Sequence, residues 1–320
     1  MIERLYIENY TIIYRVLVVE QLLSEEEILV KKVVVDIKGG YGNQLFCYAF
    51  GYAQAKRNHA KLYLDSSMQD NGIVKDRKME IFNLKIEYDK RISYHYSKKK
   101  ICRYLCINRL CKKNAIGWLT RVYNEKQAFV YEPDIRNCNV STYYDGFWQS
   151  YHYFDEYRDD IIRMYVDQQE KSTSVQKLVQ EQQKCESVAV HVRRGDYVGL
   201  NWSLPMNYYE KAMEKMQEIL GKDVEFYIYS DDNEYVREYF SNSKFNIKMP
   251  QYDSKNKVID DMYLMSNCKN MIIANSSYSW WAAYLNKNEK KKIVCPEIGM
   301  WNSNFYLKEW HSIKIGEYEL

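Results

Sequence analysis

Three short stretches of the chain carry side chains suited to an anionic ligand. The most distinctive is His191-Val192-Arg193-Arg194-Gly195-Asp196-Tyr197. On a strand end His191 and Arg193 share a face, because side chains alternate. A planar guanidinium there can pair with phosphate through charge-assisted hydrogen bonds. The plainer reading is an Arg–Asp ion pair closing a turn; an Arg-Gly-Asp adhesion signal is disfavoured by its position directly after a buried strand. The second stretch, Gly39-Gly40-Tyr41-Gly42-Asn43-Gln44, opens a helix, whose free N–H groups and dipole attract anions. Glycine also lets backbone approach a ligand closely, although a ligand-free tight turn has the same composition. Gly40, Gly42 and Asp65 imitate a dinucleotide-binding fingerprint, but its third glycine position holds Leu45, where close helix–strand packing demands a small residue. The third stretch is Asp260-Asp261 through Ser266, then Asn275-Ser276-Ser277-Tyr278-Ser279-Trp280-Trp281. Its hydroxyls and amide are ready phosphate or ribose donors, though N-capping explains that stretch better when it is taken alone. Trp280 and Trp281 read as packing the helix onto a sheet rather than stacking on a ligand.

Strands ending in polar clusters must position these residues. Residues 33–37, Val-Val-Val-Asp-Ile, run into the glycine loop, a helix over 43–58 and a strand over 60–64, the opening of a Rossmann-like unit. A second block repeats the pattern: 187–192 into Arg193, 224–229 into Ser230-Asp231-Asp232, 271–274 into Asn275, and 292–295 into Pro296-Glu297. Parallel α/β sheets bind ligands beyond the carboxyl ends of their strands, so the clusters should converge on one crevice. The expected architecture is α/β, with two Rossmann-like domains facing a cleft. Residues 1–32 form an extension of uncertain structure, 33–184 the first domain and 185–320 the second.

Composition narrows the classes further. The 320 residues, 46 % hydrophobic and 28 % charged with 12 Gly and 4 Pro, describe a globular protein, not a disordered or collagenous one. A net charge of +3, from 46 basic and 43 acidic residues, gives no reason to expect nucleic acid. The 32 tyrosines, one residue in ten, suit amphipathic ligands and packing under a wet surface alike. No apolar run approaches the roughly 20 residues of a membrane span, and no signal-peptide pattern opens the chain. Eight cysteines without a Cys-x-x-Cys pair, including the cluster Cys102, Cys106 and Cys111, favour reduced thiols in a cytoplasmic protein over zinc or disulfides.

Taken together, the motifs resemble the α-1,2-fucosyltransferases of glycosyltransferase family 11. The matching residues are Gly39 through Phe46 with Tyr48-Ala49-Phe50-Gly51, Asp145-Gly146-Phe147-Trp148-Gln149-Ser150, His191 through Tyr197, Asp261 through Ser266 and Asn275 through Trp281. They span residues 33–285 in the family's order; residues before 32 and much of 70–139 lie outside the resemblance. It implies a GT-B-like architecture and inverting transfer of fucose from GDP-β-L-fucose to the 2-hydroxyl of a terminal β-galactoside, in bacterial surface polysaccharide or oligosaccharide synthesis. Arg193 would meet the diphosphate, supported by Arg194. His191 with Asp231 and Asp232 would hold the nucleoside, and Ser276, Ser277 and Ser279 would reach phosphate oxygens. Gly40, Gly42, Gln44, Ser230, Asp261 and Asn275 complete the donor set, and Asn43 would sit across the cleft near the reacting sugar. A fucosyltransferase of another linkage, a silent carbohydrate-binding relative and a dinucleotide-dependent oxidoreductase are the alternatives.

The physics agrees with the resemblance. Breaking a glycosyl–phosphate bond builds negative charge on the departing nucleotide, and fixed donors aimed at developing charge are usually the largest catalytic contribution. No Asp-x-Asp occurs in the sequence, and Arg193 with a helix N-terminus can supply the field, so no metal and no cofactor beyond the donor are expected. The acceptor hydroxyl loses a proton, for which a carboxylate or His is the usual base; Asp196 is the motif's candidate, though it can as readily orient the arginines. The basic run 98–113, with seven Lys or Arg and no acid, could be a solvated segment or a dock on anionic inner-membrane lipid, where a lipid-linked acceptor would be met.

Overall fold

The computed structural model describes residues 30–70, 78–93, 121–137, 139–166, 171–298 and 304–315. Most of the N-terminal extension, the basic run and its cysteine cluster lie outside the described residues.

The first sheet starts with β1 (Lys32–Asp36), whose valines are buried on both faces, as a strand of a covered parallel sheet requires. It is followed by α1 (Tyr41–Asn58), β2 (Lys61–Asp65), the single turn α2 (Ser67–Asp70), β3 (Lys90–Ile92), β4 (Arg121–Asn124) and β5 (Thr142–Asp145). The strands pair entirely in parallel in the order β3-β2-β1-β5-β4. Two helices then lead across, α3 (Arg158–Val166) and α4 (Thr173–Lys184). Ser172 caps α4 by accepting the Val175 N–H, and α4 packs against the first strand of the second sheet.

That sheet contains β6 (Glu186–Val192), then α5 (Gly195–Gly199), α6 (Met206–Leu220), β7 (Val224–Ser230), α7 (Asn233–Tyr239), β8 (Ile247–Lys248) and α8 (Lys257–Asn267). Next come β9 (Asn270–Ile272), α9 (Ser277–Leu285), β10 (Ile293–Glu297) and β11 (His311–Lys314). Its order is β11-β10-β9-β6-β7-β8, again all parallel. The α/β class and the two facing Rossmann-like sheets are as expected. The final strand β11 carries no strong sequence signal, and β10 runs on through Pro296-Glu297, so that polar end does not form a site wall.

Alternation along β6 divides the second half's packing. Val188, Val190 and Val192 join a cluster with Met213 and Met216 of α6. Ala189 points to the other face, where a second cluster continues without interruption into the first half through Phe46, Trp280 and Phe305. The centre of that shared core is the crossing of α1 with α9. α1 is buried almost all round, the mark of an interior helix. Its polar residues are satisfied inside the core: Gln54 Nε2 donates to the Ile135 carbonyl and Asn58 Nδ2 to that of Arg136.

At this crossing the backbones nearly touch. A Cβ at Gly42 would lie 2.5 Å from Tyr278 N and 2.6 Å from Ser277 C, so any side chain must push α9 away as a unit. Gly42→Ala should therefore destabilise the protein by about 1–3 kcal/mol, the usual cost of overpacking. Gly199, around which nothing lies within 4 Å, is the control: Gly199→Ala should be neutral or mildly stabilising. Urea unfolding of the two variants checks both.

Candidate functional site

The carboxyl ends of β1, β5, β6, β7 and β9 open on one cleft of about 1240 Å3 between the halves. On the second-half wall β6 delivers His191 and Arg193. The Arg193 guanidinium is held by two carboxylates, Asp196 and, at 2.6 Å, Asp231, and lies over the Tyr197 ring. Asp231 can reach it because residue 195 is glycine: a Cβ there would be 2.4 Å from Asp231 Oδ2. Its other oxygen accepts the Arg194 N–H at 2.8 Å.

Three buried polar atoms on this wall have no hydrogen-bond partner within the protein: Arg193 Nε, His191 Nδ1 and Asn275 Oδ1. Buried polar groups are paired in the great majority of cases, so three at one cleft wall mark a surface shaped for a polar ligand. Beside them α9 begins, capped by Ser276, whose hydroxyl accepts the Tyr278 N–H, and Ser276, Ser277 and Tyr278 all line the cleft. Ser277 Oγ donates at 2.6 Å to Asn43 Oδ1, which also accepts from Gln149 Nε2 at 2.9 Å. One carboxamide oxygen on α1 thus ties both halves together at the cleft floor. Ser230 is there too, its hydroxyl donating to the Val192 carbonyl.

Farther along, Asp261 on α8 lines the cleft and accepts from the Tyr252 hydroxyl and, at 3.1 Å, from Lys257. Burial raises the Asp261 carboxyl above its ordinary range, and those two donors pull it partly back. The first half contributes Gly40 and Gly42, with Phe129, Phe147 and Glu80. Glu80 accepts from Asn256 across the cleft at 2.7 Å.

Of the sixteen site residues expected from sequence, twelve line the cleft and four do not. Gln44 is fully buried and donates to the carbonyls of Gly39 and Lys78 while accepting the Ile81 N–H, which fixes the glycine loop from behind. Ser279 donates inward to Ala274 and Ser276 carbonyls. Arg194 pairs with Asp232 at 2.9 Å and covers Tyr235, so that pair braces the start of α7. Asp65 accepts from Tyr143 at 2.7 Å and from Ser67, and so is committed within its own sheet rather than to a ribose. Trp280 and Trp281 are fully buried around Phe46, as packing residues. Sequence reasoning missed Glu80, Asn256, Lys257 and Trp202, all on the cleft. Glu80, Asn256 and Lys257 stand in loops or at a helix start without a local pattern, and Trp202 follows the arginine motif closely enough to have been noticed.

Two facing parallel sheets, with a cationic strand end and a helix start on one wall of the cleft between them, form the GT-B-like layout expected from the sequence. The chain belongs to glycosyl transferase family 11, the α-1,2-fucosyltransferase family, whose model matches residues 116–314. It is 32 % identical over 282 residues to the O-antigen biosynthesis glycosyltransferase WbnK of Escherichia coli, covering 81 % of this chain and 92 % of that one. An alpha-1,2-colitosyltransferase of the same species is 29 % identical, covering 82 % and 91 %. The galactoside 2-alpha-L-fucosyltransferase Sec1 of Mus musculus is 28 % identical over a shorter stretch, 39 % and 38 % of the two chains. Among the described residues no helix is long and apolar enough to cross a membrane.

Burial, with the Arg193 charge added, holds His191 down to about 3, so the folded protein carries it neutral at pH 7. In the unfolded chain it protonates near 6.5. As pH falls below about 6.5 the unfolded state takes up this proton first, and stability drops by about 1.4 kcal/mol per pH unit until the folded pKa is reached. His191→Gln removes that dependence. Between pH 7 and pH 5 wild type should lose about 2 kcal/mol more than the variant, measured by urea unfolding at both values.

Proposed function

We propose that the enzyme transfers L-fucose from GDP-β-L-fucose, with inversion, to the 2-hydroxyl of a terminal β-galactoside during synthesis of a bacterial surface polysaccharide or oligosaccharide. The observation that carries this reading is the set of unpartnered buried atoms around Arg193, beside the start of α9. A nucleoside diphosphate matches it: phosphate oxygens accept from Arg193 Nε and from the Ser276–Ser277 end of the helix. Neutral His191 adds a hydrogen bond without a competing charge. The partly buried Asp261 carboxylate suits a base edge with adjacent N–H donors. Two of the relatives' names carry a linkage to the 2-position, one with fucose and the other with colitose as the sugar.

In this mechanism the galactoside hydroxyl attacks the anomeric carbon from the face opposite the diphosphate, the C1–O bond to GDP breaks as the new bond forms, and the hydroxyl proton leaves late to solvent water, so no strong base is required. Charge gathers on the β-phosphate, beside Arg193 and the Ser276–Ser277 start of α9, which are fixed in place beforehand, so little reorganisation is needed at that moment. Asp196, paired with Arg193, then acts as a positioning residue that keeps the guanidinium planar to the diphosphate. Because this cationic field is built from protein groups and no Asp-x-Asp occurs, the reaction proceeds without metal.

The test is transfer from GDP-fucose to lactose in excess EDTA, with the new linkage read by NMR. Wild type should give an α-1,2 product at the rate seen without chelator. Arg193→Ala should lose about 10²–10³ of turnover. Retention of more than about a tenth, a deficit under 1.4 kcal/mol, would overturn the phosphate role. Faster transfer from GDP-colitose, or fucose on another hydroxyl, would replace the donor or the linkage.

A further inference from the structure

Trp202 is the large aromatic residue of the cleft that packing does not explain. It lies three residues beyond α5, lines the cleft and is 45 % exposed, whereas Trp148, Trp280 and Trp281 are fully buried. Exposing an indole forgoes burial of a large apolar surface, so a Trp held open on a cleft wall calls for a partner.

It is also held still. Asn201 before it takes a left-handed φ of 57°. The Trp202 N–H donates to the Tyr197 carbonyl at 2.8 Å, and its own carbonyl accepts from Asn275 Nδ2 at 2.8 Å. Its ring meets Tyr197 edge-on at 5.7 Å, and Tyr197 in turn carries the Arg193 guanidinium. The indole is therefore fixed relative to the arginine that the proposed reaction uses. Rigid aromatic surface presented in advance costs little entropy when a ligand binds.

We infer that the Trp202 indole is the platform on which the acceptor sugar stacks, an inference that rests on the reading above. Three of the donor's polar contacts sit on deeply buried residues: His191, Asn275 and Ser276 are at most 4 % exposed. Trp202 stands at the open rim next to them. An acceptor that is part of a longer glycan must enter last and leave with its chain trailing into solvent, so its binding surface has to be open. A pyranose ring offers one C–H-rich face that matches an indole and an opposite face of hydroxyls. Acceptor choice is then shared by both halves, with Phe129 and Phe147 opposite, and is not a property of the variable segment of the first half alone.

The test separates acceptor from donor binding. In Trp202→Ala the KM for lactose should rise about tenfold or more, with kcat changed less than about threefold, the pattern of lost uniform binding. GDP affinity, by calorimetry, should stay within about twofold of wild type. Trp202→Phe, which keeps an aromatic face, should recover most of the loss. Independently of turnover, titrating wild type with lactose should change the emission of an exposed tryptophan, and that change should vanish in Trp202→Phe. Weakened GDP binding with an unchanged lactose KM would assign Trp202 to the donor and overturn the inference. An unchanged KM together with a silent titration would overturn it too. Failure of wild type to use GDP-fucose would instead sink the donor assignment, and the lactose titration would still decide the role of Trp202.

Discussion

The approach of Gly42 to the Ser277–Tyr278 peptide is the contact on which the rest of this structure depends. Two helices from separate sheets, α1 and α9, begin side by side, and the space between their first turns admits no side chain. Around that point the Asn43 carboxamide accepts from one donor on each half, and Phe46 wedges among Trp280, Trp281, Phe154 and Phe305. Close-packed cores transmit displacement rather than absorbing it. The start of α9 is thereby locked at a set distance from the first-half wall, and the width of the cleft floor follows from it.

The electrostatics of the opposite wall follow from a second economy. Arg193 sits where a cation without partners would be expensive to desolvate, and Asp196 and Asp231 offset its charge while leaving Nε turned to the cleft. His191, kept neutral by burial and by the arginine itself, adds polarity without adding repulsion. Arg194, adjacent in sequence, turns away from the cleft. It stacks on Tyr235 and pairs with Asp232, which anchors the turn carrying Asp231. Two consecutive arginines are thus divided between the cleft and its scaffold.

Much of this was legible beforehand for identifiable reasons. Apolar strands that end in Arg193, Ser230-Asp231 and Asn275 announce both a parallel sheet and the end at which its residues gather, because such strands must be buried and their ends cannot be. The failure of the dinucleotide fingerprint at Leu45 was likewise readable, and Asp65 is engaged with Ser67 and Tyr143. Four expected site residues, Gln44, Arg194, Asp232 and Ser279, were not separable from their neighbours. Motif membership gives each a place near the cleft but not the rotation of its side chain, which depends on partners brought from distant positions, as with Lys78 for Gln44.

By itself, then, the sequence determined the strands, the polar ends that face a ligand and the family to which they belong, since these follow from local periodicity and short motifs. The tertiary structure decided what the glycines are for and which polar residues are free to act. Gly42 reads as room for a phosphate, yet its missing side chain makes room for another helix. Glu80 and Asn256 have no motif, yet they meet across the cleft at 2.7 Å. Such roles depend on distances between segments far apart in the chain, and those distances exist only once the shared core has closed around α1 and α9.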